Sequence, residues 1–386
     1  MKRPSAALVA EGHFLNLKMS SDTSLGRDAV FSAVSAQRQK LGTWLVRGAT
    51  LLLVLLVTMQ TLFVTGVTGF GFASWFPVLA GCGAWSVLLC IGNILRYGEG
   101  GWRALFVLPA VLFTLAMVIF PTFFGLYIAF SDWNLSSATG QHFNGLANFY
   151  QLIGDERVWN ALANMVFYVG TVLVQYAIAF GLALLLNSDI KGQRFFRVAF
   201  LLPFMLSPVA VSWMIGKSML EFRFGPVTNL LRILGWENPS LLTTPWLAKA
   251  TLAAMDAWVW IPFMMILILA GLQALSKEVQ EAAKVDGASG WQGFWEITFP
   301  LMLPVSLTTI ILRIIFQLKL ADIVINTTSG GPGGATDTVS SFIFREYKDR
   351  SNVGYGTMVA EVYLVLIIKF VSLLLKLATR YMQRQD

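Results

Sequence analysis

Glu281-Ala282-Ala283-Lys284-Val285-Asp286-Gly287-Ala288, continuing to Ile297-Thr298-Phe299-Pro300, lies as a polar segment between two long apolar runs. From Ser276 to Ala283 the residues are helix formers, with the charges of Lys277, Glu278, Glu281 and Lys284 closely spaced. Gly287 and Gly290 permit a turn. The stretch from Trp291 to Phe299 is again amphipathic, with Trp291, Phe294, Trp295 and Thr298 along one side. Pro300 is placed to open the next apolar helix, where its missing N–H costs little. The expectation is two short helices joined by a glycine turn, a knob that stands out from a bilayer and fits a groove on a soluble partner.

Working outward, the chain is 386 residues long, 56% hydrophobic and only 13% charged, with a mean hydropathy of +0.66. A soluble domain carries about a quarter charged residues. Eight apolar runs are long enough to cross a bilayer, at about 44–66, 72–95, 104–130, 160–187, 195–216, 247–274, 300–326 and 357–379. The fold class is therefore all-α and polytopic, with about eight transmembrane helices. Pro203 and Pro208 are expected kinks in the fifth run, and Gly66, Gly69 and Gly71 suit a tight turn after the first. The organisation read from this pattern is a cytoplasmic tail over 1–43, two N-terminal transmembrane helices over 44–103, and a core over 104–386 that contains the polar loop 276–299. No apolar core lies near Met1 as a signal peptide requires.

Eight crossings put both termini on one side. With the N-terminus inside, seventeen Lys and Arg fall in or next to inside segments and seven in outside ones. That asymmetry is the positive-inside bias, and it accounts for the net charge of +7 without nucleic acid. The loop 276–299 also falls inside.

Several chemistries find little support. A phosphate-cradling loop needs G-x-x-x-x-G-K-[ST], and Gly216-Lys217-Ser218 supplies only its end, with Val211 where the first glycine belongs. Cys82 and Cys90 share one apolar run about 12 Å apart along a helix, too far to bridge, and read as small core residues. His13 and His142 are far apart, and no metal-ligand cluster is visible.

Ionisable groups within a span are costly and face an interior or a water-filled cavity. Asp256, Trp260 and Phe263 stand at i, i+4, i+7 on the sixth run, and Arg313, Gln317 and Leu320 repeat the spacing on the seventh, with Lys319 nearby. By axial rise, Asp256 lies roughly 13 Å from the outer end, between Lys319 at about 10 Å and Arg313 at about 20 Å. Two readings stand. Asp256 forms a structural ion pair with Arg313 or Lys319, or these faces line a solute path in which rings stack on sugar C–H faces while polar groups meet hydroxyls. Asn164, Gln175 and Tyr176 on the fourth run either add polar contacts or bond to neighbouring helices.

The 281–304 stretch resembles the coupling loop of ABC importer permeases, E-A-A, three residues, Gly, nine residues, Ile-x-Leu-Pro. The spacing is met, with Phe299 in place of Leu, and Asp286-Gly287-Ala288 is similar to the sugar-type, maltose and glycerol-phosphate, branch. The resemblance implies a six-helix type I importer core with a cytoplasmic coupling helix, preceded by two extra helices. It implies that Glu281, Ala282, Ala283, Asp286 and Gly287 engage an ATPase, and that Gly330, Gly331 and Pro332 face an extracytoplasmic binding protein. It further implies a substrate site at Asp256, Trp260, Phe263, Arg313, Gln317 and Lys319. Most relatives place neutral polar groups at these positions, so Arg313 raises the case of an anionic sugar, since guanidinium pairs with two acceptor oxygens at once.

The function so implied is that of a transmembrane permease in the bacterial cytoplasmic membrane, importing a sugar or sugar derivative by alternating access. Its partners would be a second permease, two ATP-binding subunits and a solute-binding protein. The chain itself would carry no cofactor, ATP and magnesium being bound by the partner subunits. The alternatives are an amino-acid, polyamine or phosphate importer of the same family, a secondary transporter with a proton relay through Asp256 and Lys319, and a membrane enzyme, for which no nucleophile–base set is visible.

Overall fold

The computed structural model describes residues 35–64, 68–188 and 190–383. It is almost wholly helical. Among the described residues seven helices are long and apolar enough to cross a membrane, or eight when a bent pair is counted as one span. The chain divides into two compact units, Met1–Pro121 and Thr122–Asp386. The sequence pattern places its boundary at the basic loop near 103, whereas the division found in the structure falls inside the third span.

In the first unit α1 (Ala36–Val64) pairs with α2 (Phe76–Tyr97), and α3 (Glu99–Thr114) follows. Helix α1 begins at Ala36, seven residues before the expected end of the tail at 43, because Ala36-Gln37-Arg38-Gln39-Lys40 are all good helix formers. Of the tail, residues 1–34 lie outside the described residues, as does Gly66 of the first turn. The two helices meet at glycines: a Cβ on Gly42 would sit 2.5 Å from the Gly92 carbonyl oxygen. At the other end the buried amide of Gln60 satisfies both backbone groups of Phe72, donating to its carbonyl and accepting from its N–H, each at 3.0 Å.

The second unit begins within α4 (Phe120–Ala129) and continues with a hairpin of two-residue strands, β1 (Ser131–Asp132) against β2 (His142–Phe143), then α5 (Ala147–Gly154). The buried Asn148 donates to the carbonyls of Ala129 and Ser131 at 2.8 and 2.9 Å and so joins helix end to hairpin. Gly354 lies against the same turn, where a side chain would strike the Ser131 carbonyl.

Helix α6 (Glu156–Asn187) starts at Asp155, whose carboxylate caps the Arg157 N–H, pairs with the Arg157 guanidinium and accepts from the Tyr355 hydroxyl. Burial pushes the Asp155 carboxyl up, but these donors outweigh it and hold it below the usual range. Helix α7 (Gln193–Met205) and α8 (Pro208–Val211), extended by a π-turn to Met219, form the eighth apolar element. They meet at 93° across Leu206-Ser207. The expected kink is thus a break: Pro208 cannot continue the ladder, and Ser207 caps the new helix at Ala210 N–H. After the short α9 (Pro226–Ile233), α10 (Pro245–Ala274) runs through the centre of the unit and is the most enclosed span.

The polar loop is α11 (Lys277–Val285), closed by Gly287 at φ +82° with the Ala288 N–H donating to the Ala283 carbonyl. The second half corrects the two-helix expectation. Ser289 and Gln292 form a capping box, and from Gly290 a single helix runs to Gln317, through α12 (Gly290–Gln292), a π-turn over Gly293–Thr298 and α13 (Phe299–Gln317). Pro300 therefore lies inside a helix. The wider π-turn directly before it relaxes the clash a proline ring makes with the preceding turn. The seventh run also ends at Gln317 rather than 326, and the chain turns into α14 (Asp322–Thr327), α15 (Val339–Lys348) and the last span, α16 (Val353–Met382).

Replacing Asn148 by Leu leaves two buried carbonyls without donors and should cost about 1–3 kcal/mol. A lowered thermal midpoint of the purified protein checks this, and an unchanged midpoint contradicts it.

Candidate functional site

Three spans converge on one buried charge cluster. Arg313 of α13 is fully buried and Asp256 of α10 is 1% exposed, and the guanidinium Nη2 pairs directly with the Asp256 carboxylate. Gln175 of α6, also buried, completes a triangle: its Oε1 accepts from Arg313 Nε at 2.9 Å and its Nε2 donates to Asp256 Oδ2 at 3.2 Å. Isolated charges in so apolar a place are expensive, and the pair offsets that cost by direct contact and by the hydrogen bonds that Gln175 makes to both partners. Of the two pairings open from sequence, the structure makes Asp256–Arg313. Lys319 is exposed and makes no ion pair with Asp256, although both border the same cavity. Gln317 is buried next to the cluster, and neither of its amide atoms reaches hydrogen-bond geometry.

Beside the charges sits a box of four rings from three helices. Trp260 stacks on Phe316 with centroids 4.7 Å apart and 28° between planes, and Phe263 stacks on Phe204 at 5.5 Å and 26°. Trp260 meets Phe263 and Phe204 edge-on at 5.8 and 5.7 Å. The Arg313 guanidinium carbon lies 4.8 Å from the Trp260 ring centroid. Phe316 and Phe204 escape a reading by i, i+4, i+7 spacing. Phe316 is i+3 from Arg313 and shares its face, a signal present in the sequence, whereas Phe204 reaches the box only because the chain breaks at Leu206-Ser207.

A cavity of about 140 Å³ opens against this box, bounded by Pro208, Asp256, Trp260, Phe316, Lys319 and Asp322. Of the six positions expected at the site, the structure places Asp256, Trp260 and Lys319 on the cavity and Phe263 in the supporting rings. Arg313 and Gln317 are enclosed behind it. Asn164, Gln175 and Tyr176 all bond to neighbouring elements. Asn164 donates to the carbonyls of Gly334 and Asp337, Gln175 joins the ion pair, and the Tyr176 hydroxyl bonds Ser306 at 2.7 Å.

The glycine loop is clamped. Asn160 and Asn164 hold the Gly334 carbonyl, Thr336 donates to the Gly331 carbonyl, and Arg345 joins the Ser329 carbonyl to the Asp337 carboxylate. Burial pushes the Asp337 carboxyl up, against the donors Ser341 and Arg345. Gly330, at φ +83°, is buried against Arg345 and Asp337, while Gly331 and Pro332 are half-buried and Gly333 is exposed.

At the opposite end of α13, Glu281, Ala282, Asp286 and Gly287 are exposed and Ala283 is half-buried. Phe294 and Phe299 of the loop close on Phe180 of α6 at 5.6 and 6.1 Å, and Trp295 stands 5.2 Å from Phe299. Tyr176 extends the chain of rings one turn further along α6.

Residues 175–384 match the family described as binding-protein-dependent transport system inner membrane component. The trehalose/maltose transport system permease protein of Thermococcus litoralis is 31% identical over 283 residues, 73% of this chain and 95% of that one. The sulfoquinovosyl glycerol transport system permease protein of Agrobacterium fabrum is 31% identical, over 70% and 88%. Among solved structures, a chain of a bacterial alginate ABC transporter in complex with an alginate pentasaccharide-bound periplasmic protein aligns with a TM-score of 0.64 at 22% identity, over 72% of this chain and 94% of that one. That likeness carries the fold, and the family match covers both the loop at 281–287 and the buried cluster: the chain belongs to the binding-protein-dependent transport system inner membrane components, the permease subunits of ABC importers.

Proposed function

We propose that this permease passes a sugar or sugar derivative through its second unit, with the 140 Å³ cavity on the Trp260–Phe316 stack as its share of the solute site. The cavity's chemistry carries the reading: apolar ring faces for sugar C–H surfaces, with Lys319 and Asp322 at the rim for hydroxyls. Ligand pockets are usually about 300–1,000 Å³. A cavity this small supplies part of such a site, and a second permease opposite it supplies the rest. The names of the relatives, trehalose/maltose and sulfoquinovosyl glycerol, support a carbohydrate cargo and include both neutral and sulfonated sugars. A charged group on the cargo would meet Lys319, which faces the cavity, rather than Arg313, which is enclosed.

The exposed Glu281, Ala282, Asp286 and Gly287, with Ala283, form the contact for two ATP-binding subunits, where ATP and magnesium are bound. The half-buried Gly331 and Pro332, on the clamped base of Gly330, face an extracytoplasmic solute-binding protein. The charge asymmetry supports eight crossings, counting the bent pair, with both termini cytoplasmic in a bacterial inner membrane. Helices α1 and α2 precede a six-span core, in keeping with relatives that are matched over nearly their whole length by about three quarters of this chain.

In proteoliposomes holding the whole transporter, a panel of neutral and anionic sugars on loaded binding protein should find one that stimulates ATP hydrolysis. Trp260→Ala should then raise the KM for its uptake roughly tenfold, the loss of about 1.4 kcal/mol of ring contact. No stimulation by any sugar, or an unmoved KM, would sink the carbohydrate reading.

Gly287 has open space around it but a positive φ. Gly287→Val strains the backbone by about 1–3 kcal/mol there without creating a clash. It should uncouple the machine, with basal ATP hydrolysis by the partner subunits retained and stimulation by loaded binding protein cut several-fold. Full stimulation in this variant would remove the loop from the coupling path.

A further inference from the structure

We infer that Arg313 is a positioning residue: its charge is consumed inside the protein by Asp256 and Gln175, and its task is to fix the indole of Trp260 on which the cavity is built. The inference rests on the reading of that cavity as the solute site for its functional meaning, but its geometry stands alone. Arg313 has no exposed surface and does not bound the cavity, while two groups it touches, Asp256 and Trp260, do.

The planar guanidinium serves three neighbours at once. One nitrogen pairs with the Asp256 carboxylate, Nε donates to Gln175 Oε1 at 2.9 Å, and the plane's carbon sits 4.8 Å from the Trp260 centroid. A compact ammonium offers no such fork and no flat surface to lie by a ring. Trp260 is otherwise held by apolar contacts: Phe316 stacked on it, Phe204 and Phe263 edge-on, and the aliphatic cluster around Val211, Leu252 and Val259. Phe204 stands one residue before the end of α7, at the 93° break, so it is a poor anchor. The charge cluster joins α6, α10 and α13, and through Arg313 it is the polar fixture of the ring.

An anionic solute that reached Arg313 would have to take it from Asp256 and leave a buried carboxylate without its charge partner. Breaking one side of such a pair is strongly unfavourable. Preference between neutral and anionic cargo therefore comes from the charged groups that face the cavity, Asp256, Lys319 and Asp322, and not from Arg313.

The test uses the complete transporter labelled with 5-fluorotryptophan, the Trp260 resonance being assigned by its loss in Trp260→Phe. Arg313→Gln and Asp256→Asn each strand a buried partner and should lower the yield of assembled complex. The doubly neutral Arg313→Gln/Asp256→Asn should recover assembly, and in it the Trp260 resonance should broaden and shift. Arg313→Lys, which keeps the charge but not the fork, should move the resonance as well. A double variant with an unmoved Trp260 resonance overturns the inference, as does a double variant that assembles no better than either single one. In Arg313→Lys, which leaves Asp256 in place on the cavity wall, the ratio of maltose to sulfoquinovose uptake should stay within about twofold of the wild type, because a group that never meets solute contributes no differential binding. A selective loss of sulfoquinovose uptake of about tenfold would overturn the inference by making Arg313 a solute contact. The resonance reports ring position whatever the cargo, so failure here is separable from failure of the sugar panel.

Discussion

The enclosed pair of Asp256 and Arg313 constrains the rest of the second unit. Two charges with almost no access to solvent survive only where their partners are fixed in distance and direction. Those partners come from three spans, so the rotation of α6, α10 and α13 about their axes is set together. Turning α10 by one residue would carry Asp256 about 100° away from Arg313 and take Trp260 off the stack. The ring box and the cavity thus depend on the charge cluster, although the cluster itself has no access to the cavity except through one carboxylate.

The same three helices show where sequence is legible. Asp256, Trp260 and Phe263 on one face of α10, and Arg313 and Gln317 on one face of α13, follow from helical spacing, and the rarity of charge in apolar runs marks them. Which pairs form does not follow. By axial rise Lys319 is nearer to the depth of Asp256 than Arg313 is, and the choice is made by the turn after Gln317, where the helix stops and the chain bends into α14. That turn exposes Lys319 and Asp322 at the cavity and leaves Arg313 behind it. The end of the helix is hard to read because the sequence stays apolar through Leu318, Leu320, Ile323 and Val324. Phe204 is hidden for a like reason. Proline signals a kink, but a right-angle break that delivers a ring to another helix is a matter of packing.

Proline misleads at Pro300 as well. Its place after an amphipathic stretch reads as a helix start, yet the helix begins at the Ser289–Gln292 capping box and passes through it by way of a π-turn. The consequence is mechanical. A knob of two separate helices would reach the span through a joint, whereas the continuous Gly290–Gln317 helix, about 42 Å long at 1.5 Å per residue, has its polar end at the loop 276–299 and its far end at the cavity.

Helix α6 runs alongside and is tied to this rod at three heights. Phe180 meets Phe294 and Phe299 near the loop, Tyr176 bonds Ser306, and Gln175 bonds Arg313. Further along, Asn160 and Asn164 hold the glycine loop that follows α14. A displacement applied at Glu281–Gly287 therefore cannot move α13 alone without breaking buried polar bonds, each costing about 1–3 kcal/mol when left unmet. The low-cost motion keeps α6, α10 and α13 as one body and bends the chain where no such bonds hold it, at Leu206-Ser207. Phe204, just before that break, is the member of the ring box whose helix supplies no member of the charge cluster, so opening of the cavity is expected to begin on its side.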